Sequence, residues 1–150
     1  MSKKNDFRTE LENYWKTLIK AKHSFEIYLY LKKYSNDELS PLWRHVKNIS
    51  FKDTIIELDK IIGSSKQQKF RINHLLGKLK KDSEYRSLNY SEENLQKVKT
   101  TLAGFDEVIN EINKLRDEQF AHLDFKKDVM VNNIDRYPIL IQVLEKTLQD

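Results

Sequence analysis

The chain has 150 residues, 39% hydrophobic and 33% charged, with 3 Gly, 2 Pro and no Cys. A chain of this length buries a substantial core as one domain, and so few turn-forming residues favour helices over an open sheet. The lack of cysteine excludes disulfides, zinc–thiolate sites and thiol chemistry.

The net charge of +4 is unevenly spread. Residues 1–50 carry 10 Lys/Arg against 6 Asp/Glu, residues 51–100 carry 11 against 7, and residues 101–150 carry 6 against 10. The polar residues 1–6 lead into no apolar stretch, and no run approaches the roughly 20 apolar residues of a membrane helix. A cytoplasmic protein without membrane attachment is expected.

A first helix is expected over residues 6–33. Phe7, Leu11, Tyr14, Leu18, Ala21, Phe25 and Tyr28 alternate spacings of four and three, which puts one apolar stripe against a bundle core. Ser35, Asn36 and Asp37 interrupt it. Ser40 followed by Pro41 is a helix start, a capping hydroxyl with proline at the first helical position. The second helix should reach about Ile62 with Leu42, Val46, Ile49, Ile55, Ile56, Leu58 and Ile62 inward, and end at Gly63, Ser64 and Ser65.

A short third helix is expected over residues 68–81, burying Ile72, Leu75, Leu76 and Leu79. The densest basic stretch overlaps it: Lys66, Lys69, Arg71, Lys78, Lys80, Lys81 and Arg86. Such a patch attracts RNA or is simply a solvated lysine face. Ser91 should cap a long fourth helix, with Glu92 and Glu93 where the helix dipole favours acidic groups. Its stripe is Leu95, Val98, Leu102, Phe105, Ile109 and Ile112, running through Gly104 at a cost of about 1 kcal/mol relative to alanine. A last helix should start near Asp135, take Pro138 in its first turn and bury Leu140, Ile141, Leu144 and Leu148. Together these elements predict one all-α domain over residues 1–150, an up-and-down four-helix bundle with one additional short helix.

Chemistry concentrates in residues 114–124, KLRDEQFAHLD. The fourth helix's spacing beyond Ile112 lands on Arg116, a guanidinium where the stripe calls for an aliphatic residue. His122 follows after five intervening residues, about 9 Å along the axis and about 120° around it. Arginine offers a planar donor fork for phosphate, and histidine moves protons near neutral pH. Asp117, Glu118 and Asp124 are placed to orient or charge-stabilise the pair. The same residues admit a plainer reading, with Arg116 snorkelling into solvent and His122 favoured at a helix C-terminus. Glu118 and His122 have metal-ligand spacing with no third ligand evident, so neither metal nor cofactor is expected. His45 and His74 read as surface residues.

The segment LRDEQFAHLD resembles the HEPN (higher eukaryotes and prokaryotes nucleotide-binding) signature of arginine, a polar residue, three or four more residues, then histidine. Its ending resembles the branch linked to U-type abortive-infection proteins, as do WRHVKNISFKDTIIELDKIIG and INHLLGKLKKD, so the similarity covers about residues 40–125. The resemblance implies a HEPN-like helical bundle that forms a homodimer with its motif in a cleft between the copies. It also implies a metal-independent endoribonuclease of phage-defence or toxin–antitoxin type, with Arg116 and His122 as the catalytic pair. An antitoxin or a nucleotidyltransferase-like protein is then an expected partner. Adenylylated members carry a tyrosine two residues after the histidine, where this chain has Asp124. The family also includes non-catalytic modules that bind nucleic acid or protein. A structural dimer using Arg116 in an ion pair is a further alternative. On the catalytic reading, Arg116→Ala and His122→Ala each abolish cleavage and leave the melting point nearly unchanged.

Overall fold

A computed structural model gives the fold; it describes residues 3–63, 71–80, 84–120 and 131–149, with only the backbone of Lys3 and of residues 118–120. Helix ends follow local rules. The Ser40 hydroxyl accepts the Trp43 backbone N–H at the start of α2 (Pro41–Ile62), which follows α1 (Lys3–Lys32). Ser91 accepts the Asn94 N–H in the same way at the start of α4 (Glu92–Ala103). The remaining helices are α3 (Ile72–Lys78), α5 (Asp106–Phe120) and α6 (Tyr137–Gln149), with 3-10 turns at Arg86–Leu88 and Ile134–Arg136. Among the described residues the protein is all-α, and no helix is long and apolar enough to cross a membrane.

The α1 stripe forms as its spacing predicts. Tyr14, Leu18, Ala21 and Phe25 are buried, and Phe7, Leu11 and Tyr28 pack against the core. Helix α2 lies antiparallel to α1, because the contacts Lys20–Glu57, Ser24–Asp53 and Tyr28–Phe51 step in opposite directions along the two chains. Helix α6 does the same on another side of α1, through Lys22–Glu145 at 2.8 Å and Phe25 stacked on Tyr137 at 5.6 Å. Near the α1 N-terminus, the Tyr14 hydroxyl donates to the Arg71 carbonyl and Lys78 bridges to Glu10, which docks α3. The last helix buries Leu140, Ile141, Leu144 and Leu148 as expected, with Tyr137 ahead of them.

Among the described residues six α-helices stand where four and a short one were expected, because the fourth divides at Gly104. The Gly104 N–H bonds back to Leu102 and Thr101 and ends α4, and Asp106 and Glu107 then open α5 at its dipole-favoured end. Arg136 satisfies the break by donating to the Gly104 carbonyl at 2.7 Å while its guanidinium lies over the Phe105 ring. The division also rotates the apolar stripe, so that Val108, Ile112 and Leu115 are the core residues of α5 and Ile109 is only partly buried.

A second correction concerns α2. Its buried apolar residues lie in its second half, where Ile55, Leu58, Ile61 and Ile62 are enclosed beside Thr54. Leu42 and Ile49, expected inward, are 65% and 47% exposed. Helix α5 meets α2 near Asp59, so the first half of α2 has α1 as its main neighbour.

Candidate functional site

Arg116 sits on α5 beside Leu115, which takes the core position. Its guanidinium reaches across to α2, where Nη1 donates to both Asp59 carboxylate oxygens at 2.9 Å. The Asp59 side chain is 2% exposed and that of Arg116 22%, so the pair marks the edge of the core. On the other side of the guanidinium, Nε and Nη2 contact Asp117 Oδ1 at 2.9 and 2.8 Å. Burial works against the charge on Arg116, but hydrogen bonds to Asp59 and then Asp117 outweigh it and raise its pKa above the ordinary arginine value. The arginine therefore stays charged at any working pH and is held in one plane, the requirement for binding an oxyanion. These ion pairs are formed within one chain.

Asp59 was not singled out by the sequence reading. Its signal was present, since it lies four residues after Ile55 and three before Ile62, a carboxylate at core spacing within IIELDKII. A charge on a buried stripe calls for a partner on a facing helix.

Of the other residues named from sequence, Asp117 is two-thirds exposed, and the Glu118 backbone belongs to α5. His122 and Asp124 lie outside the described residues, as do Lys66, Lys69 and Lys81. The described part of the basic patch is mixed. Lys80 and Arg86 are exposed, whereas Lys78 is held by Glu10 at 2.9 Å with Glu84 at 3.7 Å. The Arg71 Nε and Nη2 atoms are buried without a hydrogen-bond partner among the described residues. His45 and His74 are exposed.

Helix α5 also fixes the chain on the far side of residues 121–130. Glu111 accepts the backbone N–H groups of Asn132 and Asn133, the Asn133 side-chain amide and the Tyr137 hydroxyl. The helix that carries Arg116 thus also anchors the chain leading into α6.

A groove of about 1010 Å³ lies elsewhere, between the second half of α1 and the first half of α2. His23, Ile27, Tyr30, Tyr34, Trp43 and Val46 line it. Its apolar character suits it to protein contact more than to phosphate chemistry.

The fold and this junction define a helical module built around a fixed cation. Residues 4–148 match the family model HEPN_AbiU2, described as AbiU2, and the chain belongs to this HEPN family, linked to abortive infection. The match takes in nearly all of α1 and most of α6, beyond residues 40–125 that carry the resemblance. No curated protein and no solved structure matches the chain.

Proposed function

We propose that this protein is a metal-independent endoribonuclease of a phage-defence or toxin–antitoxin type system. Arg116 holds the scissile phosphate. The ribose 2′-oxygen attacks phosphorus, the bond to the 5′-oxygen breaks, and a 2′,3′-cyclic phosphate and a 5′-hydroxyl result. His122 takes the proton from the 2′-hydroxyl or gives one to the leaving 5′-oxygen. Asp117 supports Arg116 in the free protein, and Glu118 and Asp124 support His122. Lys66, Lys69, Arg71, Lys78, Lys80, Lys81 and Arg86 form the side from which RNA approaches, away from the acidic surroundings of the motif.

The observation that carries this reading is the Arg116 guanidinium, fixed by Asp59 and still partly open to solvent. Membership of a HEPN family adds the expected chemistry. The proposal includes a homodimer, since α1 and α2 leave Ile27, Tyr30, Leu42, Trp43 and Ile49 exposed, the kind of face a second copy covers. An antitoxin or nucleotidyltransferase-like partner completes the system, and the cytoplasm is its compartment.

A second reading, a non-catalytic module that binds nucleic acid or protein, is favoured by one feature. Asp59 and Asp117 together outweigh the charge of Arg116. The experiment that separates the two is cleavage of labelled bulk tRNA in EDTA by wild type and His122→Ala purified identically. Cleavage by wild type alone, with cyclic-phosphate ends, supports the nuclease. Equal cleavage by both removes His122 from the mechanism, and no cleavage by either favours the binding module.

A further inference from the structure

The two carboxylates on Arg116 differ in a way that divides their roles. Asp59 is buried and lies in the last turn of α2, where the helix dipole disfavours a negative charge. Burial disfavours it again, and apolar replacements of such pairs are often as stable. Stability alone therefore gives little reason for an aspartate here. Asp117 is two-thirds exposed and neighbours Arg116 on the same helix, so it can turn into solvent.

Gly63 completes the arrangement. Its N–H donates to the Asp59 carbonyl at 2.8 Å, and a Cβ on Gly63 would lie 2.3 Å from Asp59 Oδ1 and 2.4 Å from the Asp59 carbonyl oxygen. Its φ of −59° is open to any residue, so glycine is needed here for space and not for backbone conformation. A side chain would force both the Asp59 carboxylate and the backbone at the end of α2 to shift, moving the carboxylate from Arg116.

We propose that Asp59 is the positioning residue for Arg116, with Gly63 as its spacer, and that an incoming phosphodiester displaces Asp117 while Asp59 stays in place. Asp59 grips Nη1 and leaves the Nε–Nη2 edge facing outward. That edge matches two phosphate oxygens in the bidentate geometry arginine favours, and Asp117 occupies it in the free protein. The phosphodiester part rests on the function proposed above; the positioning part does not.

The test follows the Arg116 Nε–H signal in nitrogen-15 side-chain spectra, assigned by its loss in Arg116→Lys. Its shift is recorded as a non-cleavable 2′-deoxy oligonucleotide is added. In wild type and Asp117→Asn the signal should be sharp. In Asp59→Asn and Gly63→Ala it should broaden or vanish while backbone signals away from the junction keep their positions. Asp117→Asn should bind the oligonucleotide several-fold tighter than wild type. In the RNA cleavage assay Asp59→Asn should lower kcat about 100-fold with little change in KM, the penalty of a misplaced group. A sharp Arg116 signal and unchanged kcat in Asp59→Asn overturn the positioning role. Weaker binding by Asp117→Asn overturns the displacement. A signal that collapses in Asp59→Asn when wild type neither binds nor cleaves leaves the positioning role standing and removes the phosphodiester reading.

Discussion

Asp59 and Arg116 stand 57 positions apart and meet through both carboxylate oxygens, each 2.9 Å from Nη1. This contact changes what Arg116→Ala can report. Removing the guanidinium takes one counter-charge from a buried carboxylate, so the variant should lose about 2–4 kcal/mol of stability as well as function. Asp59→Ala and Arg116→Ala, measured by urea denaturation singly and together, should couple: the double variant should be more stable than the sum of the single losses by about 1–2 kcal/mol. Strict additivity would mean that the pair contributes nothing. Arg116→Lys, which keeps the charge and loses the fork, is the better probe of catalysis.

Glu111 accepts four hydrogen bonds that hold residues 132–137 against α5. Glu111→Ala leaves those donors without their acceptor and should destabilise the protein by about 1–3 kcal/mol. Hydrogen exchange at Asn132 and Asn133 should accelerate more than exchange in the α1 core. Unchanged protection there would show that other contacts hold the start of α6.

High pH should destabilise the fold. Burial pushes up the pKa of the Tyr14, Tyr85 and Tyr137 phenols, that of Tyr85 from 10.0 to about 12, and the carboxylates of Glu10 (for Tyr14 and Tyr85) and Glu111 (for Tyr137) add to it. Below pH 10 these groups are protonated in both folded and unfolded chains and contribute no pH dependence. Above it the unfolded chain releases protons that the folded one retains. The melting temperature should therefore fall from pH 10 toward 12, with tyrosinate absorbance rising as the protein unfolds. Tyr137→Phe should flatten that fall, and an equally steep loss would assign the alkaline transition to other groups.

The exposed apolar face makes a prediction about assembly. Trp43 and Leu42 are 51% and 65% exposed, so replacing both with glutamate should leave the melting temperature of dilute protein nearly unchanged. If this face carries the homodimer, light scattering should give the double variant half the mass of wild type. Equal masses would remove the face from the interface.

Much of the fold was legible because it is set over distances of a few residues. The alternating stripe of α1, the caps at Ser40 and Ser91, the stop at Gly63 and the buried face of α6 follow from helical periodicity and backbone hydrogen bonding. Gly104 was visible as a weak point, but its role as a helix end was not. The break is completed by Arg136, which satisfies the freed Gly104 carbonyl from 32 positions away.

The sequence by itself determined that the described residues are all-α, their principal helices and the prominence of Arg116 as a charge near the end of an apolar stripe, though Leu115 takes the core position there. Tertiary structure alone decided that α5 crosses α2 where Asp59 faces Arg116, and that α2 exposes Leu42 and Ile49. The physical reason is that periodicity fixes which face of a helix turns inward, whereas the partner on that face depends on the register and crossing of helices far apart in the chain.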